Sequence, residues 1–181
     1  MLADALDRYR AADAAEESDV ERVRALLAGS GDPWTRSSPL HVTASALIVH
    51  PPSGRVLLRW HERQRAWLHV GGHADEGETD PLAVALREGR EETGLSDLAP
   101  WPDAGIVHVV IVPVNAKGDE PAHEHADVRL VLATATPDEA RPERPSAPLR
   151  WLTVTDALAA TGEPNLRETI ARAARLMTPG G

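Results

Sequence analysis

The sequence predicts an α/β fold in which a mixed β-sheet lies between helices. Strand-like and helix-like segments alternate irregularly and show no internal repeat, which favours one sheet covered by helices. The chain has 181 residues, 42% hydrophobic and 26% charged, enough for a domain with its own core. We expect residues 1–39 to be a helical extension and linker, and residues 40–181 to be the main domain.

The chain before residue 70 is predicted to hold helices and then two strands. Residues 1–30 have the apolar spacing of one or two surface helices, and Asp19 is the expected N-cap of the second. This extension could pack on the main domain or serve as a dimer or lid element. Residues 41–50 form a continuous apolar run typical of a buried strand, and residues 55–60 alternate as a second strand after a Pro-Pro-Ser-Gly turn.

The stretch 71–95 reads as a glycine-rich loop that leads into one helix. Asp80 is a good N-cap, and Pro81 suits the first helical position because the N–H it lacks would be unpaired there. Gly94 stands where a left-handed residue ends a helix. We therefore predict a helix from Pro81 to Thr93.

The remaining chain is predicted to complete the sheet and its covering helices. The strands are expected at 105–114, 123–136 and 149–154, and the helices at 156–160 and 164–177. The Pro-rich segment 137–148 is expected to be a surface loop.

Three carboxylates of the predicted helix share one stripe, and we call Glu88, Glu91 and Glu92 the acidic cluster. They repel each other unless something compensates them, and a solvated acidic face is the simpler interpretation. However, Mg²⁺ prefers clustered carboxylate oxygens that it can share with substrate phosphates. The adjacent glycine-rich turns would also let a backbone approach a ligand closely. The pattern therefore favours a metal site.

This stretch resembles the Nudix box, a long and specific motif. The matching residues are Gly72, Glu78, Arg87-Glu88, Glu91-Glu92 and Gly94-Leu95. Eight residues, 79–86, separate Glu78 from Arg87, one more than in the family pattern, and we place the extra residue at the helix start. Gly89 replaces a bulky aliphatic residue, which suggests a close helix–sheet approach, and Val70 replaces a common Pro.

The resemblance to the Nudix family implies both a fold and a reaction. The fold would be an α/β/α sandwich with a mixed sheet. The reaction would be metal-dependent hydrolysis of a diphosphate linkage in a nucleoside diphosphate joined to another group, with Mg²⁺ or Mn²⁺. The acidic cluster and Gly72 would hold the metal. Glu91, Glu92 and Arg87 would act in catalysis, with Arg87 orienting a carboxylate.

A second polar group follows the expected strand at residues 123–129. Alternate residues of a strand share a face, so His123, His125, Asp127 and Arg129 should point one way. We assign His125 and Asp127 to substrate binding, and Arg129 to holding a phosphate or a carboxylate. A hydrogen-bonded structural network is the alternative.

The family often supplies a further acidic residue from outside the box. Glu120, Glu124 and Asp127 are candidates, and we favour Glu124 as a catalytic residue because it opens the strand at a loop edge.

Two residues that precede the box are further substrate-binding candidates. Arg59 could hold a phosphate, and Trp67 could stack on a base. A hairpin edge with solvated arginines explains the same residues without a ligand. His69 and His73 flank the double glycine and are expected to hydrogen-bond within the loop.

The composition restricts the other classes of function. A formal net charge of −9 argues against general nucleic-acid binding, and the absence of Cys excludes disulfides and thiolate metal sites. No apolar run approaches the roughly 20 residues needed to span a membrane, and the N-terminus resembles no signal peptide. We therefore expect no membrane partner and a cytoplasmic protein. The expected partner is a small phosphorylated substrate, and a homodimer is an option.

The alternative function is a Nudix-like module that senses a nucleotide-linked ligand without turnover. The presence of Arg87 together with all three residues of the acidic cluster argues against a sensor. Isomerase chemistry on an isoprenoid diphosphate is disfavoured because the family's isomerases rely on a cysteine.

Overall fold

A computed structural model of the chain describes residues 1–119 and 121–178. In these residues five helices accompany an eight-stranded sheet. The helices are α1 (Leu2–Arg8), α2 (Ala14–Ala28), α3 (Pro81–Thr93), α4 (Val154–Ala160) and α5 (Pro164–Met177). Single 3₁₀ turns lie at Pro51–Ser53 and Pro137–Glu139.

The sheet is mixed and is organised around two long apolar strands. Its strands are β1 (Leu40–His50), β2 (Arg55–His61), β3 (Ala66–Leu68), β4 (Val70–His73), β5 (Ala99–Pro100), β6 (His108–Val114), β7 (His123–Ala133) and β8 (Leu149–Thr153). The strands β1 and β7 pair in parallel at the centre, and the other pairings are antiparallel. Along one path the order is β3-β2-β1-β7-β5, while β4 pairs with β1, β6 with β7 and β8 with β2.

The two faces of the sheet carry separate apolar layers, because alternate residues of β1 and β7 point to opposite sides. On one face, Ala44 and Val128 pack with residues of α1, α2 and α3. On the other face, Leu47 and Val131 pack with residues of α4 and α5, including Ile170. The α/β/α sandwich predicted from the Nudix resemblance is confirmed.

The helix α3 has the predicted bounds and the predicted ends. The Asp80 side chain accepts a hydrogen bond from the Leu82 N–H at 3.1 Å, and Pro81 is the first helical residue. Gly94 ends the helix with φ of 69°. The helix α5 also begins and ends as predicted.

Other elements differ from the predictions in their ends or were not predicted. The second helix begins at Ala14, where Asp13 caps it through the Glu16 N–H at 2.9 Å, so the prediction of an Asp19 cap was wrong. The short strands β3, β4 and β5 were not predicted, because segments of two to four residues carry little periodicity. The strand β4 lies inside the stretch interpreted as a loop.

Two predictions concern membranes and the candidate Glu120. None of the helices in the described ranges combines the length and the apolar character needed to cross a membrane. Glu120 lies outside the described residues.

Candidate active site

The acidic cluster is placed by the packing of α3 on β1 and β4. Gly89 faces the sheet, and a Cβ added there would lie 2.8 Å from Leu98 Cδ1 and 3.6 Å from Leu132 Cδ1. The missing side chain therefore permits the close helix–sheet approach that the sequence suggested. This approach brings the carboxylates of α3 next to the double glycine of β4.

Arg87 binds carboxylates from the loop and from the helix. Its Nη1 donates to Glu88 at 3.0 Å and to Glu91 at 3.1 Å. Its Nη2 donates to Glu78 at 3.0 Å and to the His73 carbonyl at 2.8 Å. The extra residue in the motif therefore leaves Glu78 in contact with Arg87, and the guanidinium fixes one side of the acidic cluster.

Gly72 lies directly against the carboxylate of Glu88. A Cβ added at Gly72 would meet Glu88 Oε1 at 2.5 Å, which is closer than non-bonded atoms approach. A side chain at residue 72 would therefore force the Glu88 carboxylate to shift, so this carboxylate lies directly against the backbone of Gly72. Burial raises the pKa of Glu88 above its ordinary value, despite the opposing effect of Arg87.

Glu92 is the most enclosed carboxylate of the acidic cluster, with a side chain that is 13% exposed. Its Oε1 lies 3.1 Å from Arg59 Nη1, and its Oε2 accepts a hydrogen bond from the Gly71 N–H at 3.2 Å. Burial raises the pKa of Glu92 to about 7, because the charged form loses more hydration than Arg59 and the amide restore. A bound cation would stabilise the charged form further.

The donor set of the acidic cluster fits a hard divalent cation such as Mg²⁺ or Mn²⁺. Glu88 and Glu92 are desolvated carboxylates with raised pKa values, whereas Glu91 is 57% exposed and available to a ligand from solvent. The backbone of Gly72 lies directly beside the Glu88 carboxylate. Carboxylate and carbonyl oxygens are the ligands that these ions prefer.

A cleft of about 660 Å³ opens beside the double glycine. Residues of β1, β4, β6, β7 and the start of α5 line it, and they include Gly71, Gly72, His125, Asp127 and Arg129. This confirms the prediction that four residues of β7 share one face of the strand, namely His123, His125, Asp127 and Arg129.

Asp127 and Arg129 form a buried network at the floor of the cleft. The carboxylate of Asp127 accepts hydrogen bonds from Arg129 Nε at 2.7 Å and from Ser45 Oγ at 2.5 Å. Arg129 also donates to Asn165 and Thr169. Burial alone would raise the pKa of Asp127, but Arg129 and the surrounding donors more than offset this and hold it well below its usual range. Arg129 thus holds a carboxylate of the protein itself.

Arg59, predicted to bind substrate, is engaged by two carboxylates. Its Nη1 lies 3.1 Å from Glu92 and its Nη2 3.4 Å from Glu143. The side chain is only 9% exposed, so its nearest anionic partners belong to the protein.

Trp67 lies in an aromatic and cationic contact at the edge of the sheet. Its ring is 5.5 Å from that of Trp60, and Arg150 Cζ lies 4.4 Å from its centroid. Among the described residues, those that line the cleft do not include Trp67.

Glu124 points to the face of β7 opposite to His125, and it forms an ion pair with Arg22 of α2. The Arg22 Nη2 atom is 2.5 Å from Glu124 Oε2, and both side chains are substantially exposed. This placement turns Glu124 away from the cleft, so its predicted catalytic role stays a prediction that mutagenesis must test.

The structure adds functional candidates that the sequence interpretation missed. Glu143 lies in the Pro-rich loop, yet its amide donates to the Glu92 carbonyl at 3.3 Å and its carboxylate contacts Arg59. His69 is enclosed beside the cleft, with Nε2 3.5 Å from Asp127 Oδ2, and burial lowers its pKa. Glu143 carried no local motif that could have revealed it, whereas the position of His69 before the double glycine was a weak signal.

Residues 39–173 match a family model described as the NUDIX domain. The chain belongs to the Nudix family. The match covers most of the chain and includes both the acidic cluster and the cleft. No curated protein matches the sequence.

Solved structures of Nudix hydrolases share this fold. The E. coli dihydroneopterin triphosphate pyrophosphohydrolase aligns at a TM-score of 0.60 and 20% identity, over 76% of this chain and 96% of that one. A C. elegans Ap4A hydrolase aligns at a TM-score of 0.59 and 19% identity, over 74% of this chain and 95% of that one. The M. smegmatis Nudix hydrolase RenU aligns at a TM-score of 0.53 and 24% identity, over 81% of this chain and 94% of that one. Identities this low show the fold alone.

Proposed function

We propose that the chain is a metal-dependent hydrolase that cleaves a diphosphate linkage in a nucleoside diphosphate joined to another moiety. The observation that carries the proposal is the packing of Glu88 and Glu92, two desolvated carboxylates, against Gly71 and Gly72 at the edge of a cleft. Membership of the Nudix family supports the reaction class.

In this proposal the acidic cluster binds the metal and Arg87 positions the acidic cluster. Glu88, Glu91, Glu92 and the Gly72 carbonyl would hold Mg²⁺ or Mn²⁺. When bound, such an ion would supply neutralisation of phosphate charge and a lowered pKa for a water molecule. Arg87 keeps Glu88 and Glu91 in place through its paired donors, so it acts as a positioning residue.

A carboxylate near the attacking water would accept its proton. Glu92 is the candidate within the motif, because its carboxylate accepts a hydrogen bond from Gly71 at the edge of the cleft. Glu143 is the alternative from outside the motif, because it reaches Arg59 beside Glu92. Glu124 stays the candidate predicted from sequence.

The substrate would enter along the cleft. His125 lines the cleft and is retained as a substrate-binding residue, while Asp127 and Arg129 form its polar floor. Arg59 would contribute by holding Glu92, and Trp67 would reach a base only if the substrate extends to the sheet edge. The homodimer, the cytoplasmic location and the boundary at residue 39 stay predictions.

The test is product release across a panel of nucleotide-linked diphosphates with Mg²⁺ or Mn²⁺. Ap4A belongs to this panel, and dihydroneopterin triphosphate is added as a phosphoanhydride without a nucleoside, since similar structures bear those names. Metal-dependent turnover that Glu92→Gln removes would support the hydrolase. If no compound turns over while one of them raises the melting temperature, the sensor function would replace it.

A further inference from the structure

Four histidines from three strands converge at one end of the cleft, and we call His41, His73, His123 and His125 the histidine cluster. The parallel register pairs His41 of β1 with His125 of β7, and β4 ends at His73 beside Thr43. One ring nitrogen each of His41, His123 and His125 lies within 4.8 Å of the other two. The ring centroids of His73 and His125 are 4.8 Å apart. Residues far apart in sequence therefore form one compact group.

Hydrogen bonds orient two of these rings so that their Nε2 atoms face the group. His41 Nδ1 lies 2.9 Å from the Ser38 carbonyl, and His123 Nδ1 lies 2.9 Å from the Pro121 carbonyl. A carbonyl oxygen only accepts, so both Nδ1 atoms carry the hydrogen and each neutral ring has its lone pair on Nε2. This arrangement of a backbone carbonyl on the outer nitrogen is the one that fixes metal-binding histidines.

The inward Nε2 atoms are already close to further ring nitrogens. His41 Nε2 is 3.0 Å from His73 Nε2, and His123 Nε2 is 3.1 Å from His125 Nε2. Zinc–nitrogen bonds are about 2.0–2.1 Å long, so a tetrahedral site needs nitrogen–nitrogen separations of roughly 3.3 Å. The two close pairs nearly meet this spacing, and side-chain rotation would close the longer separations of up to 4.8 Å.

The tautomer of His41 suits a cation. With its hydrogen on Nδ1, the neutral ring presents the Nε2 lone pair towards the group, which is the ligating form of histidine.

We propose that His41, His123 and His125, with His73 beside them, form a binding site for a borderline divalent transition-metal ion of the Zn²⁺ class. Imidazole nitrogen suits Zn²⁺, Ni²⁺ and Cu²⁺, whereas Mg²⁺ prefers the oxygen ligands of the acidic cluster. The site is separate from the acidic cluster and does not depend on the proposed hydrolase function. A ligand in the cleft would meet the ion directly, because His73, His123 and His125 line the cleft.

The experiment titrates Zn²⁺ into the full chain by calorimetry, after treatment with a chelator. The protein carries no histidine tag, since a tag binds the same ions. The Glu88→Gln/Glu92→Gln double variant serves as the parent, so that zinc on the acidic cluster does not contribute. We expect one equivalent of Zn²⁺, and a Co²⁺ titration should give visible absorption typical of nitrogen ligands.

Variants on the partly exposed histidines then locate the site. His123→Asn and His125→Asn should each weaken zinc binding at least about tenfold, because each loses a ligand. His50→Asn is the matched control, since His50 lies at the other end of β1 and bonds Ser53, and it should bind as the parent does.

Folding is checked by melting temperature before each titration. The proposal is overturned if the parent binds no Zn²⁺, because the four rings would then be only two hydrogen-bonded pairs in contact. It is also overturned if His123→Asn and His125→Asn both bind as tightly as the His50→Asn control.

Discussion

The acidic cluster and the histidine cluster meet at β4, but they are built in opposite ways. The acidic cluster comes from three positions of one helix, all between residues 88 and 92, and packs against Gly72. The histidine cluster comes from three strands and spans residues 41 to 125. The first presents oxygen beside Gly72, and the second presents nitrogen around the adjacent His73.

Burial removes charge from both clusters, but it affects their ability to bind a metal differently. It favours the uncharged form of each, so it raises the pKa of Glu88 and Glu92 and lowers the pKa of His41 and His73. Uncharged imidazole is a metal ligand, whereas a carboxylate must lose its proton first. In the proposed metal site, the acidic cluster would therefore need Arg59, Arg87 and a cation to stay ionised, whereas the buried imidazoles would already be in the ligating form.

Removing the charge of Glu92 should have the largest effect of the changes considered. Glu92→Gln keeps the shape but loses a metal ligand, and we expect turnover to fall at least about a hundredfold. The measurement is kcat on the best substrate of the panel, with the melting temperature as a check on folding. Glu139→Gln, an acid in an exposed loop, is the control and should stay near the wild-type rate. Near-normal turnover in Glu92→Gln would contradict the assignment.

The pH dependence of stability should reveal the burial of Glu92 when no metal is present. Its pKa is raised from 4.5 to about 7, so the folded chain holds this proton more tightly than the unfolded chain does. The stabilisation is complete below pH 4.5 and is lost as the pH rises through about 7. Relative to Glu92→Gln, the wild-type free energy of unfolding should fall by roughly 1–3 kcal/mol between about pH 5 and 8.

Denaturant titrations of both proteins at the two pH values measure this difference. If the free energies of unfolding of the two proteins change equally between these pH values, Glu92 is solvated in the folded chain. Added Mg²⁺ should restore stability at the higher pH, because the ion binds the ionised carboxylate.

A single methyl group at Gly72 should disturb the acidic cluster without touching the histidine cluster. The Cβ of Gly72→Ala would lie 2.5 Å from Glu88 Oε1, so the carboxylate must move. We expect kcat to fall about tenfold or more, since small displacements in a site are costly. Gly162→Ala, where nothing lies within 4 Å of the added Cβ, is the control. Equal rates for the two variants would mean that the position of Glu88 does not matter.

The smallest effects should come from the two acids outside the motif. Glu143→Gln removes a charge next to Arg59 and Glu92, and we expect turnover to fall about three- to tenfold. Glu124→Gln breaks an exposed pair with Arg22, which is worth roughly 0–1 kcal/mol and should leave turnover within a factor of about two. The reverse order of the two rates would restore the catalytic role that the sequence predicted for Glu124.

The sequence predicted those parts of the molecule that local chemistry determines. Asp80, Pro81 and Gly94 set both ends of α3, and the spacing of the motif set the acidic cluster on one face. The alternation in β7 correctly grouped His125 with Asp127 and Arg129. The cap at Asp19 was wrong, because Asp13 offers the same side-chain chemistry six residues earlier.

By itself, the sequence determined the Nudix motif, the helix that carries it and the apolar strands of the sheet. These depend on residues that lie within one or two turns or one strand of each other. The tertiary structure alone decided that Arg59 and Glu143 reach Glu92, and that His41 and His73 meet His123 and His125. Those contacts follow from the register of the strands and the path of the loops. From the sequence alone, many other pairs of residues with the same chemistry could equally well have been in contact.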